Sequence, residues 1–494
     1  MPLTSLNPTR WSWRALLIAG LGVYTIAAFA SEGYYQLDEH FQLLEFANYK
    51  LGATPAADLP WEFQTQIRPT LQPVIALAVI KSMRAVGVVN PFTQALLLRL
   101  VSGWLALLVF ARLARVLVGS AASESTGRML FAATIFLWFM PYLSVRFSSE
   151  NWSSLAFFGG LSLLPMSDDD DRKSASSMIV AGLLLGLAFM FRFQIGFALV
   201  GVAAWLAVRR RVPFSSVLPL ALGGLVAFAI GTAVDAWFYG HLVFTPWRYF
   251  DAFAHQVKAD EFGVSPWWFY FTTFLTVAVP PISLILLILA GFGVYRARNN
   301  LMTWAFASFV MLHVVVGHKE MRFLFPMAFP LLWLAVNGWE SLRARIRWRR
   351  ATNAFGWITG TINLVALIIV CTRPAQQFLP AWRFLYDASR NAPVTVYVEQ
   401  RSPYDMEKLK PHFYDAAKLT VRIVPSWTEL NGVQVGDLVL QRHLAPPPRV
   451  AGFTMQRVFR AFPDWVLRFN VSGWEGRTEI WSIYRVGGPG KPSS

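Results

Sequence analysis

Two adjacent acidic residues, Asp38 and Glu39, follow the first apolar stretch of the chain. We predict a helix over residues 38–50, which places Asp38 near its start and Gln42 and Glu45 on the same face. The simplest interpretation of Asp38 is an N-cap on an interfacial helix. The alternative is a general base that accepts a proton from a substrate hydroxyl. A second polar cluster further along the chain favours the base.

That second cluster is the segment 317–323, Gly-His-Lys-Glu-Met-Arg-Phe, which lies between two apolar stretches. Lysine and arginine at a helix end often extend towards the lipid headgroups, and this is the alternative interpretation of the segment. It does not account for a histidine and a glutamate in the same turn. His318, Lys319 and Arg322 are donors suited to a phosphate at the membrane surface, and Glu320 is placed to orient one of the cations.

Long apolar stretches separate these clusters. Of 494 residues, 55% are hydrophobic, and the mean hydropathy is +0.43. Several stretches reach or approach the roughly 20 residues that span hydrocarbon, and lipid leaves their backbone only helical hydrogen bonds. We therefore predict an all-α polytopic membrane protein. Its nearly uncharged stretches are 15–30, 129–143, 178–190, 217–233, 282–294, 302–316 and 359–370.

The positions of the basic residues indicate which loops face the cytoplasm. Lysine and arginine number 44 against 28 acidic residues, but the arginines occur in short clusters between apolar segments, which indicates cytoplasmic loops and not nucleic-acid binding. The external pieces are then residues 31–68, 148–151, 239–268, 318–322 and everything after 372. Cys371 is the lone cysteine, which excludes disulfide frameworks and cysteine-based metal sites.

The number of spans follows from parity. Twelve apolar segments do not fit an internal N-terminus and an external C-terminus, so we predict about 11 transmembrane helices, with 71–88 too short or re-entrant. Alternatively, residues 266–280 are the segment that does not span, and they lie in the membrane interface. The acidic run Asp168 to Asp171 is predicted to be a solvated connector and not a metal site.

Beyond the membrane segments the character of the sequence changes. Short strands are predicted at residues 394–398, 419–424, 437–440 and 465–469, between proline and glycine turns. We therefore predict a transmembrane domain over 1–374, with a catalytic first external loop at 31–70. A small extramembrane α/β domain is predicted over 375–494.

Several short motifs occur in order along the first two thirds of the chain. Residues 37–42, Leu-Asp-Glu-His-Phe-Gln, are followed by Trp-Glu-Phe at 61–63, Ile-Arg-Pro at 67–69 and His-Lys-Glu-Met-Arg-Phe at 318–323. Together they resemble the glycosyltransferase family 22 mannosyltransferases, which add mannose to GPI anchors and lipid-linked oligosaccharides. The family often has proline where Leu37 stands. The 318–323 motif is the most specific match.

The resemblance implies a GT-C fold and an inverting transfer from a polyprenyl-phosphate-linked donor, mannose in this family. In such a reaction Asp38 is the candidate base, with Glu39 as a second. The departing phosphate is already ionised, so it needs cations and no general acid, and the candidates are His318, Lys319, Arg322 and Arg68. No metal or cofactor is expected. Residues expected to support the acceptor or the site are Gln42, Glu62, Glu320 and Arg192.

Other functions share some of these features. A transporter or flippase of lipid-linked sugars would also be polytopic and basic, although no second copy of either motif is present to mark paired halves. A further alternative is a GT-C transferase that uses a lipid-linked sugar other than mannose. The expected partners are the polyprenyl-phosphate sugar, a glycolipid or lipid-linked glycan acceptor and membrane lipids. A bacterial-like member would lie in the inner membrane with an external active site, and a eukaryotic one in the endoplasmic reticulum.

Overall fold

The chain forms two compact units. The first holds Met1–Ser31, Thr65–Ile75 and Leu96–Arg373, and the second holds Glu32–Gln64, Ala76–Ala95 and Pro374–Ser494. The computed structural model describes residues 11–121, 123–167, 173–256, 263–343, 349–400, 402–404, 409–427, 432–442 and 453–488. The acidic run Asp168 to Asp171 lies outside the described residues.

Helices dominate the described part of the chain. The α-helices, in order, are α1 (Trp13–Ala30), α2 (Leu37–Glu39), α3 (Glu45–Lys50), α4 (Trp61–Gln64), α5 (Leu71–Ala85), α6 (Pro91–Ala121), α7 (Glu124–Phe136), α8 (Phe139–Ser144), α9 (Ser149–Leu161), α10 (Ala175–Phe191), α11 (Gly196–Ala204), α12 (Phe214–Tyr239), α13 (Thr245–Asp251), α14 (Phe269–Val277), α15 (Ile282–Arg296), α16 (Leu301–Val315), α17 (Ala328–Leu342), α18 (Arg349–Thr372), α19 (Leu379–Ser389) and α20 (Asp464–Leu467).

Tighter and wider helical turns join several of these helices. The 3₁₀ turns lie at Ala56–Asp58, Phe193–Ile195, Met321–Met327 and Val471–Arg477, and the π-helical turns lie at His40–Leu44, Trp205–Arg209 and Ala252–Gln256.

Five helical segments in the described residues are long and apolar enough to cross a membrane. They are Trp13–Ala30, Pro91–Leu117, Ser215–Tyr239, Met321–Leu342 and Ala354–Thr372, and four shorter apolar helices occupy Ala175–Phe191, Phe193–Arg209, Ile282–Arg296 and Leu301–Val315. The protein is therefore an integral membrane protein of many helices. The predicted count of 11 spans is not confirmed. Helix α5, which we predicted not to span fully, has 15 residues and belongs to neither group.

Glycines bring the membrane helices of the first unit into close contact. A Cβ added at Gly223 of α12 would lie 2.0 Å from the backbone oxygen of Ile179 in α10, and one at Gly182 would lie 1.9 Å from that of Leu220. Helices α15 and α17 repeat the arrangement through Gly293. In lipid no hydrophobic force drives helices together, so their association depends on close packing. Small residues such as these let the helix backbones approach closely enough for it.

Aromatic side chains pack α9 against α17. The ring of Phe329, at the start of α17, lies 5.0 Å from the ring of Phe110 and 5.5 Å from that of Phe158 in α9. All three residues are nearly fully buried. Their packing holds α9 against the start of α17, which directly follows the turn Met321–Met327.

The second unit contains a five-stranded sheet. Its strands are β1 (Val394–Glu399), β2 (Leu419–Val424), β3 (Leu438–Arg442), β4 (Thr454–Arg460) and β5 (Trp481–Gly487), and their order is β2-β1-β3-β5-β4. Strand β1 pairs in parallel with β2 and β3, whereas β5 pairs antiparallel with β3 and β4.

Three of the four predicted strands are confirmed, and one prediction is wrong. Residues 465–469 belong to the short helix α20 and the turn after it, with Trp465 65% and Phe469 66% exposed. The preceding Pro463 is extended, and Asp464 binds Arg457 and Arg460 of β4, so a helical turn forms where an apolar pattern suggested a strand. Strands β4 and β5 were not predicted.

The first-loop helix is confirmed, with one irregularity. It runs as α2, the π-helical turn His40–Leu44 and α3, and so covers the predicted residues 38–50. Gln36 occupies the N-cap position without a capping hydrogen bond from its side chain, and Asp38 is the second residue of the first turn. The interpretation of Asp38 as the N-cap is therefore wrong. Gly52, with a φ of +77°, follows the helix end.

We expect Gly223→Ala to lower the thermal unfolding temperature in detergent, because its methyl group would meet the α10 backbone at 2.0 Å. Overpacking of this kind costs about 1–3 kcal/mol. The control is Gly291→Ala in α15, where an added Cβ meets nothing within 4 Å. Equal unfolding temperatures for the two variants would show that α10 and α12 do not pack this closely.

Candidate active site

The two candidate base residues lie in the first turn of the loop helix, in the second unit. Asp38 and Glu39 are both half-buried. An ionised carboxylate is a hydrogen-bond acceptor only, which is the kind of group that can take a proton from a substrate hydroxyl.

Gln42 and Glu62 are brought together. The Gln42 side-chain amide donates to Glu62 Oε1 at 3.1 Å, and both side chains are buried. This bond ties the π-helical turn to α4, within the same unit as Asp38. The structure thus joins two of the residues that the sequence marked as supports.

Glu320 holds two of the predicted cations in the first unit. Arg322 donates from Nε to Glu320 Oε2 at 2.7 Å and from Nη2 to Oε1 at 2.9 Å, a two-pronged pair. The His318 Nε2 atom lies 3.2 Å from Glu320 Oε1. The expectation that Glu320 orients a cation agrees with this geometry.

A buried carboxylate that was not among the predicted site residues extends this arrangement. Glu150, at the start of α9, lies 3.0 Å from Arg192 Nη1 and 3.9 Å from Arg322 Nη1. We call Glu150, Arg192, Glu320 and Arg322 the Glu150 cluster. Two guanidinium groups and two carboxylates balance, as buried charges must. An acidic residue opening an otherwise apolar helix was the signal available in the sequence.

The chain breaks its helix to place Arg192. Helix α10 ends at Phe191, and Arg192 adopts an extended conformation before the turn Phe193–Ile195. Its guanidinium also donates to Ser149 Oγ at 2.9 Å. The ring of Phe323 lies under both Arg192, at 5.5 Å, and Arg322, at 5.6 Å, which adds cation–π attraction.

Lys319 is committed to backbone carbonyls. Its ammonium donates to the oxygens of Ser265 at 2.9 Å and Val316 at 2.5 Å, with that of Gly317 at 3.5 Å. Burial lowers the pKa of Lys319. Because Val316 is the C-cap of α16, the cation lies at the negative end of that helix. These contacts give Lys319 a structural role beside the predicted phosphate contact.

Arg68 is positioned through its own backbone. The Tyr239 hydroxyl donates to the Arg68 carbonyl at 2.9 Å. Two residues on, Thr70 donates from its amide and its hydroxyl to Asp235 Oδ1, both at 2.7 Å. Asp235 is fully buried. The C-terminal turn of α12 therefore anchors the Arg-Pro turn, an anchor that the Asp235 charge inside an apolar stretch signalled.

The candidate residues divide between the two units. Asp38, Glu39, Gln42 and Glu62 belong to the second, while the cations, Glu320 and Arg192 belong to the first. Among the described residues, no group of three or more His, Cys, Asp or Glu side chains is placed to hold a metal ion.

Comparison with known proteins gives consistent matches. The sequence model of the Alg9-like mannosyltransferase family matches residues 15–400, well over half of the chain. GPI mannosyltransferase 3 of Candida albicans is 22% identical over 67% of this chain and 65% of its own length. GPI mannosyltransferase 3 of Drosophila melanogaster is 25% identical over 77% of this chain and 63% of its own length. The chain thus spans less than two thirds of either relative.

Solved structures show the same fold. ArnT from Cupriavidus metallidurans in the apo state superposes with a TM-score of 0.53 at 14% identity, covering 95% of this chain and 97% of that one. Its structure bound to undecaprenyl phosphate gives a TM-score of 0.50 at 12% identity, covering 95% and 98%. At this identity the likeness establishes the GT-C fold alone.

We expect Lys319→Ala to destabilise the protein by about 1.5–3 kcal/mol, because it removes a buried charged donor from the carbonyls of Ser265 and Val316. The control is Lys418→Ala, an exposed lysine that donates to the carbonyl of Asn391 at 3.2 Å, which should change stability by less than about 0.5 kcal/mol. Thermal unfolding in one detergent compares them. If Lys319→Ala lowered stability no more than Lys418→Ala, the structural role of Lys319 would be wrong.

Proposed function

The chain belongs to the Alg9-like mannosyltransferase family, and we propose that it is an inverting glycosyltransferase. It moves mannose, or a related sugar, from a polyprenyl-phosphate donor to a glycolipid or lipid-linked glycan acceptor on the outer face of the membrane. The observation that carries the proposal is the family match, since residues 15–400 include both the acidic first-loop motif and the 318–323 motif.

The cations in the first unit suit a departing lipid phosphate. When the bond between the sugar and the phosphate breaks, negative charge grows on the phosphate oxygens, and preorganised cations stabilise it. Arg322 is held in place by the two-pronged contact with Glu320, so it loses little freedom when it binds. We assign Arg322, Lys319, His318 and Arg68 to the phosphate, and Lys319 also shapes the turn that presents His318 and Arg322.

The carboxylates of the second unit suit the acceptor. An inverting transfer needs a base that takes the proton from the attacking hydroxyl while the new bond forms to the anomeric carbon. We assign that role to Asp38, with Glu39 as the neighbouring carboxylate. No group has to protonate a leaving phosphate that is already ionised, so neither a general acid nor a metal or other cofactor forms part of the proposal.

The comparisons support the classes of donor and acceptor. The two relatives are named for the transfer of mannose to GPI, a glycolipid. The protein that shares the fold was crystallised with undecaprenyl phosphate, a polyprenyl phosphate. We propose a donor of that lipid class, and the membrane helices give both lipids a route to the protein within the bilayer.

The proposal is tested by incubating purified protein in detergent with a panel of polyprenyl-phosphate sugars and glycolipid acceptors, followed by mass spectrometry. The expected product is the acceptor plus one hexose, formed with polyprenyl-phosphate mannose. A flippase would move its lipid across a vesicle membrane and leave every mass unchanged. Product from another lipid-linked sugar alone would keep the reaction class and overturn mannose as the sugar.

We expect Arg322→Ala to lower turnover on the order of 10²-fold, because the departing phosphate loses a fixed cation. Arg322→Lys should not restore it, since an ammonium cannot make the two-pronged contact with Glu320. The control is Arg128→Ala, an arginine paired with Glu124 on the exposed side of α7, which should keep normal turnover. Initial rates at varied donor concentration make the comparison. Normal rates for Arg322→Ala would contradict the phosphate assignment.

We expect Asp38→Asn to lower turnover by roughly 10² to 10⁴, because the amide cannot accept the acceptor's proton. Stability should fall by at most about 1 kcal/mol, the value of one charge near a helix start. Glu39→Gln belongs in the same assay, because it shows which carboxylate is the base. A folded Asp38→Asn protein with the normal rate, beside an inactive Glu39→Gln protein, would move the base to Glu39.

A further inference from the structure

Glu45 is a buried carboxylate in the middle of the first-loop helix. Its Oε1 atom lies 2.8 Å from His40 Nε2 and accepts the backbone amides of His412 at 2.7 Å and Phe413 at 2.8 Å. Its Oε2 atom accepts the Thr54 hydroxyl at 2.5 Å. Burial by itself raises the pKa of Glu45, but these donors outweigh it and hold the pKa below the ordinary value.

Two of these donors come from the far end of the chain. His412 and Glu45 are 367 residues apart in sequence, and both lie in the second unit. Residues 410–415 also lie beyond residues 15–400, which the family model matches. The carboxylate in the first loop is therefore satisfied by a segment that the family motifs do not include.

The side chain of His412 makes a second link to the same loop. Its Nε2 atom lies 2.9 Å from Asp58 Oδ2, and its Nδ1 atom lies 3.1 Å from Asp415 Oδ2. Lys410 Nζ approaches Asp58 Oδ1 at 3.6 Å. The segment 410–415 thus binds the loop at two places, Glu45 and Asp58.

Ring packing adds a third contact next to the candidate base. The ring of Tyr414 stacks on His40 at 5.6 Å with an angle of 10° between the planes, and the Phe413 ring lies 6.4 Å from His40. His40 is fully buried and follows Glu39 directly. Movement of the segment 410–415 would therefore displace the residue adjoining the Asp38–Glu39 pair.

We propose that the segment 410–415 is a positioning element for the loop helix, and that Glu45 and His412 are positioning residues that hold Asp38 and Glu39 in their working geometry. The catalytic part of this inference rests on the proposed function. It gives the C-terminal region a part in the reaction, and the Glu45 carboxylate links that region to the loop.

The helix needs such support for a physical reason. It is short, covering only residues 37–50 with a π-helical turn in its middle, and an isolated helix of about that length is marginal in water. A buried carboxylate that loses its donors is costly, so Glu45 and the amides of 412 and 413 each need the other. Displacement of a catalytic group by about 1 Å can lower a rate on the order of 10²-fold.

The experiment compares Glu45→Gln and His412→Gln with the full-length protein in detergent. Amide hydrogen exchange is followed in peptides covering residues 37–50 and 409–414, and kcat and KM are measured with polyprenyl-phosphate mannose. The control is Asp464→Asn, which breaks the ion pairs with Arg457 and Arg460 elsewhere in the second unit. We expect both test variants to exchange faster in both peptides, with kcat lowered about 10- to 100-fold and the donor KM nearly unchanged.

Each result decides a separate point. Faster exchange in 409–414 without any change in 37–50 would overturn the positioning role, as would a folded Glu45→Gln protein with normal kcat. If Glu45→Gln does not fold, His412→Gln decides, since its side chain is partly exposed and the Glu45 carboxylate remains. An inactive wild-type protein would overturn the proposed function, while the exchange data alone would still show whether the segment holds the helix.

Discussion

Buried charge has to be balanced where it lies, and this requirement shapes the first unit. Arg192 and Arg322 are only 7% and 9% exposed. A guanidinium buried to this extent in an apolar surrounding is costly unless it is paired. Glu150 and Glu320 supply the balance, and the ring of Phe323 fills the space against both cations. The break after α10 and the 3₁₀ turn before α17 both follow from the need to bring these side chains together.

The same requirement organises the second unit around Glu45. Four donors surround one carboxylate, and two of them are backbone amides from the C-terminal region. A sheet of five strands carries that region, so the short loop helix is supported by a larger folded body. Fixed carboxylates and fixed cations suit the inverting transfer that we propose, because preorganised groups need no rearrangement while charge develops.

Local patterns in the sequence predicted many of the apolar helices, the loop helix at 38–50 and three strands, since each depends on neighbouring residues. They also marked Glu320 beside Arg322, because both lie in one short turn. They missed Glu150 as the partner of Arg192, and His412 as the partner of Asp58, because those pairs join distant segments. The strand predicted at 465–469 failed because Pro463 and the ion pairs of Asp464 set a helical turn there.

A donor competition shows whether the sugar comes from a lipid phosphate, as we propose. Purified protein in nanodiscs receives a glycolipid acceptor together with polyprenyl-phosphate mannose and a nucleotide-linked mannose, each carrying a different isotope label. We expect the product to carry the label of the lipid donor, with or without a metal chelator. Product that carries only the nucleotide donor's label would contradict it.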